Sequence, residues 1–468
     1  MTYKPLSIAV VGHTNAGKTS LLRALTRNKI FGDVSRRNST TKDVSFTHVN
    51  INGEPRLKLF DTPGFEDSND FREYIRQFEV SKSRKATLES FLASPEAIGA
   101  YEQQAKVVRN ILSEIDLVFY VIDSTEEPLP KYLAELDVLA MSGRPVLPIL
   151  NFVSSEQSNS VLWRETLADR GLHIKVSYDA VTPKQGSEYN LYRHLGKLLE
   201  DREKEVENII SGLALESRNR LHAGLSTIAE LLVDAAAYRV EVKLDDTDMQ
   251  IYHATQMKEH LRLEEQKCVD NLLKIFGFDR NDLKDVELSV INEKAEDDLF
   301  DPEAFREAST RLGVGAVIGS AIGLGIDIAL VGGSLGLGLV LGGAIGGAIS
   351  GYAKELYRWA RAKIQGLAPL IFDETTLAIL LNRQLKLIEE LQRRSHAAVI
   401  AIERDTGFYN SDAWIEITKV ISKIRIHPEW CGITPTPEFT IERDEVIKRL
   451  VEIIKKHQQF DAHPLPSA

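Results

Sequence analysis

Between Gly12 and Thr19 the chain reads Gly-His-Thr-Asn-Ala-Gly-Lys-Thr. Two glycines flanking four residues, followed at once by a lysine and a threonine, are the residue types that wrap a polyphosphate. The glycines let successive backbone N–H groups curl around an anion at the start of a helix, where those donors have no partner within the helix. Lys18 adds a cation that reaches the outer phosphates, and Thr19 adds a hydroxyl for Mg2+. Gly12, Asn15, Ala16, Gly17, Lys18, Thr19 and Ser20 are therefore the expected phosphate-side residues.

A second group lies downstream. Asp61 opens the run Asp-Thr-Pro-Gly. An acid at the end of an apolar strand beside such a loop is expected to support Mg2+, and Gly64 can offer a backbone N–H to the terminal phosphate. Upstream, Thr40 and Thr41 stand in a polar stretch. One of them is expected to close over Mg2+ when the terminal phosphate is present, and the other to be a capping or turn hydroxyl. The candidate metal set is thus Thr19, Asp61 and Thr40 or Thr41. The candidate catalytic groups are Lys18, Thr41 and Gly64.

These residues need elements to position them. Leu6–Gly12 is a short apolar run that reads as a buried parallel strand, and the segment after Thr19 reads as a helix. Two alternating stretches, Ser45–Ile51 and Arg56–Phe60, are joined across Asn52-Gly53, a strong hairpin signal, and the second delivers Asp61 to its end. Apolar strands follow at Asp116–Asp123, around Val146–Asn151, and from His173 to Ser177.

The three motifs, "GHTNAGKT", "TTKD" and "DTPG", resemble in order and rough spacing those of the TrmE–Era group of small GTPases, over about the first 180 residues. The resemblance implies a GTP- and GDP-binding hydrolase with Mg2+ and two switch loops, around Thr40–Asp43 and Asp61–Phe65. In cation-dependent members an asparagine at the position of Asn15 holds K+ beside the phosphates. The local alternative is a residue that tolerates turn geometry. Phe65 stands just after the switch glycine, where a water-positioning glutamine occurs elsewhere. Hydrolysis is therefore expected to be slow without K+, a partner, or a homodimer of the nucleotide domains.

The chain also departs from the group. A long charged helical insertion, Phe71–Glu114, follows the second switch. Where the base-reading Asn-Lys-x-Asp is expected, Asn151 is present, but Phe152 replaces the lysine and Ser154 the aspartate. Loss of that carboxylate removes a bidentate, charge-assisted contact of the discriminating kind. Asn151 and Ser177 remain the candidate base-side residues.

The whole chain has 468 residues, is 43% hydrophobic and carries a net charge of −11, which argues against a nucleic-acid partner. Cys268 and Cys431 are too far apart for a CxxC site and fit a reducing compartment. The first residues lack the pattern of a signal peptide. A cytoplasmic protein, associated with the inner face of the plasma membrane, is expected.

From about Leu198 the sequence turns to long amphipathic helical patterns. The segment Leu312–Tyr352 has a single charge, Asp327, and glycines at four-residue spacing. Such stripes let helices approach closely in a membrane, and the break at Val331–Ser334 divides the segment into two spans of near-bilayer length. Basic residues on both sides fit a hairpin with both ends cytoplasmic. A soluble hairpin buried in its own domain is the alternative. The expected architecture is an α/β P-loop GTPase domain over 1–200, mostly parallel with one antiparallel strand, and an all-α domain over 201–468 holding the apolar hairpin 312–352. Two other function classes compete with a GTP-driven switch: a dynamin-like membrane-remodelling or tethering protein, and a GTPase of RNA or ribosome maturation.

Overall fold

The computed structural model describes residues 4–26, 45–65, 67–79, 83–180, 187–278, 298–311, 325–328, 366–394, 412–434 and 437–458. It divides into two compact units, Met1–Ser217 with Arg393–Val399, and Arg218–Gln392 with Ile400–Ala468.

The strands of the first unit are β1 (Leu6–Val11), β2 (Ser45–Ile51), β3 (Glu54–Asp61), β4 (Leu117–Asp123), β5 (Val146–Asn151) and β6 (Val176–Ser177). They form one sheet in the order β2-β3-β1-β4-β5-β6. All neighbours are parallel except β2, which runs antiparallel to β3. The expected mostly parallel sheet with one antiparallel strand is present. β1 is buried at every position and apolar except for Ser7, because both its faces are covered. Leu6, Ile8 and Val10 pack into one core with α1 (Lys18–Thr26). Ala9 and Val11 pack into the other. The β2–β3 turn has φ of 53° at Asn52 and 77° at Gly53, the two positive values that a tight hairpin turn of this residue pair requires.

The insertion after the second switch folds as α2 (Ser68–Arg76), α3 (Arg84–Leu92) and α4 (Glu102–Glu114). Phe71, Phe91, Tyr74 and Tyr101 form an aromatic cluster, with the Phe71 and Phe91 rings 5.0 Å apart and edge-on. Phe65 is fully buried in the same core, 6.1 Å from the Phe71 ring. Helices α5 (Pro130–Met141), α6 (Ser160–Asp169) and α7 (Ser187–Leu198) complete the cover.

The second unit is largely helical. It contains the later part of α8 (Glu203–Ala237), then α9 (Thr247–Phe276), α10 (Pro302–Arg311), α11 (Glu374–Arg394), α12 (Asp412–Ile424) and α13 (Ile441–His457). Asp246 caps α9 through Met249 N–H at 3.0 Å, and Gly277 ends it at φ 78°. The unit is nevertheless not all-α. A three-stranded antiparallel sheet, in the order β7-β9-β8, is formed by β7 (Arg239–Lys243), β8 (Ile326–Ile328) and β9 (Leu367–Phe372). The Arg-Val-Glu-Val stretch after the long helix therefore begins a strand instead of extending the helix.

β8 also corrects the first of the two expected helical spans, because it lies inside it. Gly325 has φ 81°, which a helix cannot continue through. Its carbonyl accepts bonds from Thr376 Oγ1 at 3.0 Å and Asp373 N at 3.2 Å. Asp327 pairs in register with Ile371 of β9. Burial raises the Asp327 carboxyl above its ordinary range, with Arg425 opposing. A short apolar stretch is compatible with strand or helix, and here sheet pairing decides. The rest of 312–352 lies outside the described residues. Among the described residues no helix is long and apolar enough to cross a membrane.

Candidate functional site

The phosphate loop leaves β1 at Gly12 and enters α1 at Lys18. Gly12 passes so close to β4 that a Cβ there would sit 2.3 Å from the Val121 carbonyl oxygen. Gly17, at φ 92°, would meet Asn151 Nδ2 at 2.1 Å. Only glycine fits either place, so the motif spacing is a packing demand of the sheet as well as a phosphate demand. Between them Ala16 is buried and Asn15 is exposed at φ 66°. The Asn15 amide makes no hydrogen bond among the described residues. Lys18 Nζ donates to the Gly12 and His13 carbonyls, both at 2.8 Å. Thr19 and Ser20 stand in the first turn of α1.

Parallel pairing of β3 with β1 brings Asp61 level with Val10, at the strand end that feeds the loop. Burial lifts its carboxyl from 3.8 to about 6, with the Lys18 charge opposing. Asp61 Oδ1 is buried and has no hydrogen-bond partner among the described residues. A desolvated carboxylate oxygen without a donor, beside a loop with a free-standing threonine hydroxyl, fits a hard divalent cation. Thr62 is buried, and its hydroxyl donates to the Val10 carbonyl at 2.7 Å, pinning the turn to β1. Gly64 lies against the phosphate loop: a Cβ there would be 2.7 Å from Thr14 Oγ1 and 3.1 Å from its backbone nitrogen. Thr40 and Thr41 lie outside the described residues.

On the base side, Asn151 is buried and makes three bonds. Its Nδ2 donates to the Ala16 carbonyl at 3.0 Å, and its Oδ1 accepts from Phe152 N at 3.0 Å and Ala180 N at 2.9 Å. It thus knits the phosphate loop to the loops after β5 and β6. Phe152 has φ 54°, unusual for a bulky residue, and its ring reaches the Gly17 position. Ser177 ends β6, and its hydroxyl accepts from Arg164 Nη2 at 2.6 Å. Ala180, three residues further on, is the residue of that loop tied to Asn151. Sequence reasoning missed Ala180, Thr14, Thr62 and His13. His13, Thr14 and Thr62 stood inside motifs, at positions where the motif does not specify a residue type or role; Ala180 lies outside them and carries no periodic signal.

Two family models match the chain, and the second begins inside the first compact unit. Residues 7–152 match the family model described as 50S ribosome-binding GTPase, and residues 164–452 match the model described as Domain of unknown function (DUF3482). The chain is similar to the tRNA modification GTPase MnmE of Thermoanaerobacter sp. strain X514, 27% identical over 174 residues, 37% of this chain and 30% of that protein. MnmE of Streptococcus thermophilus strain CNRZ 1066 is 35% identical over 144 residues, 30% of this chain and 25% of that protein. The chain thus spans less than a third of the length of these curated relatives. Among solved structures, Aquifex aeolicus Era aligns over 42% of this chain and 57% of that chain at 19% identity, with a TM-score of 0.30. A probable GTP-binding protein engB aligns over 42% and 99% at 14% identity, with a TM-score of 0.27. The N-terminal region is a P-loop GTPase domain of the TrmE–Era type, and the chain, matched by the DUF3482 model over 164–452, belongs to that family.

Proposed function

We propose that the protein is a GTP-driven switch that binds GTP and hydrolyses it to GDP. The observation that carries this reading is the convergence of Lys18, the orphaned Asp61 carboxylate oxygen and Gly64 at one loop. The backbone N–H groups of the loop cradle the phosphates. Lys18 leaves the Gly12 and His13 carbonyls and turns to the outer phosphate oxygens. Gly64 offers its N–H to the terminal phosphate, and Thr41 closes from the first switch. Mg2+, held by Thr19 and supported by Asp61, neutralises charge on the phosphate oxygens when bound. Phe65 is buried in the core and cannot orient water, so hydrolysis needs a further source of charge.

K+ held by Asn15 is that source in this reading. Tolerance of a left-handed turn explains the Asn15 backbone but leaves its amide unused. A homodimer of nucleotide domains would enclose the same edge. The apolar character of 331–352 supports attachment to the cytoplasmic face of a membrane, and so keeps a dynamin-like tethering role as the second reading. Mg2+, K+, membrane attachment and dimerisation are all parts of the proposal. The relatives named for tRNA modification suggest RNA maturation, but the net charge of −11 opposes it. Phosphate release from GTP and ATP, with and without liposomes, tests the whole reading. Absence of nucleotide binding and of phosphate release in KCl and Mg2+ would overturn it.

A further inference from the structure

The side chain of His13, in the phosphate loop, is tied to α5. Its Nδ1 is 2.9 Å from Glu135 Oε1 on α5, and Glu135 is fully buried. The other carboxylate oxygen of Glu135 accepts from the Tyr120 hydroxyl of β4 at 2.8 Å. His13 Nε2 is 3.4 Å from Lys131 Nζ in the first turn of α5. An ammonium can only donate, so Nε2 is its acceptor and the ring proton sits on Nδ1, donating to Glu135. The ring therefore bridges a partly exposed cation and a buried carboxylate. The ring also packs edge-on to Tyr132 at 5.1 Å, and Lys131 Nζ lies 4.6 Å from that ring centroid.

Two further bonds give this clamp a reach. The His13 carbonyl is one of the two that hold Lys18. The Lys131 carbonyl accepts from Ser68 Oγ at 2.8 Å, at the start of α2, directly after the second switch. One turn of α5 thus touches the phosphate loop through its side chains and, through a backbone oxygen, the start of α2 that follows the second switch.

We propose that His13 is a positioning residue for hydrolysis: held between Glu135 and Lys131, it sets the place of the loop segment His13–Asn15 and, through α5, its alignment with the second switch. The proposal rests on the reading of Gly12–Thr19 as a catalytic phosphate loop. Phosphoryl transfer is almost entirely positioning and charge stabilisation, and misplacement by an ångström costs about a hundredfold. The backbone donors that bind the ground-state phosphates survive without the clamp, so the rate should suffer more than affinity.

The test compares His13→Ala, His13→Asn and Lys18→Ala for equilibrium binding of a fluorescent GTP analogue and for steady-state hydrolysis, with melting curves as folding controls. His13→Ala should bind nucleotide within about threefold of wild type and lose about tenfold or more in kcat. His13→Asn, whose amide can donate to Glu135, should recover most of that loss. A folded His13→Ala with kcat within about twofold of wild type, or equal impairment of the two His13 variants, would overturn the clamp. Should His13→Ala fail to fold, Lys131→Met reads the same clamp from its outer end, and an unchanged kcat there overturns it. Undiminished binding by Lys18→Ala would instead sink the phosphate-loop reading itself.

Discussion

Asn151 Nδ2 donates to the carbonyl of Ala16 across 3.0 Å, although 135 residues separate the two. This bond, with those from Phe152 N and Ala180 N, makes Asn151 the tie between phosphate loop and base-side loops. Asn151→Ala leaves the buried Ala180 N–H, the part-buried Phe152 N–H and a buried carbonyl unpaired, at about 1–3 kcal/mol each and less than additive. A loss of about 3 kcal/mol is expected, a fall in Tm of roughly 5–10 °C. Thermal melting of the isolated variant checks it, and a shift below about 2 °C would show the tie to be slack.

Lys18→Ala should abolish binding of a fluorescent GTP analogue, because the cation facing the outer phosphates is gone. ATP competing as well as GTP against the wild type would mean that Phe152 and Ser154 have removed guanine selectivity. Ser154→Asp should then restore a preference for GTP of about tenfold or more, by returning a charge-assisted contact.

Asp61 sets a pH dependence. Its folded carboxyl titrates at about 6 instead of 3.8, because burial disfavours the charged form. The folded chain therefore holds the extra proton between those values. The stability contribution is full below the ordinary value and is lost as pH rises through about 6. The cost above that pH is on the order of 3 kcal/mol at most. Asp61→Asn should raise the Tm of nucleotide-free protein at pH 8, and by only about half as much at pH 5. The Mg2+-dependent gain in nucleotide affinity needs the ionised carboxylate, so it should fade below about pH 6 in the wild type and be lost in Asp61→Asn at every pH. Equal melting shifts at the two pH values would refute this.

Hydrolysis should run faster in KCl than in NaCl at equal ionic strength. Asn15→Ala should erase the difference while nucleotide still binds. A charge placed beside the β- and γ-phosphates is worth up to about 10³–10⁵ in rate when an arginine supplies it, and K+ should recover part of that. Equal rates in both salts would reduce Asn15 to a turn residue.

Membrane partition should follow the apolar run without β8. Deleting 312–352 would also remove Ile326–Ile328 from the sheet, so the informative variant deletes 331–352 and keeps β8 and the Gly325 turn. The full chain should pellet partly with liposomes and the variant should not. Equal behaviour of the two would assign the run to the fold instead.

The sequence by itself determined the strands that flank the loop, the hairpin at Asn52-Gly53, and the places of Lys18, Thr19, Asp61 and Gly64, while the strand order came from the tertiary structure. Those features are local: apolar runs bounded by turn residues, and glycines whose backbone freedom has few substitutes. It also determined that most of the second unit would be helical, because the amphipathic period persists over long segments. Tertiary structure alone decided that Gly17 must make room for Asn151 and that Phe65 is buried under an aromatic cluster. It alone placed His13 against a buried carboxylate 122 residues away. It also converted Arg239–Lys243 and Ile326–Ile328 from expected helix into strands, because a strand of a few residues has no periodic signature and exists only where a partner edge, here β9, satisfies its backbone.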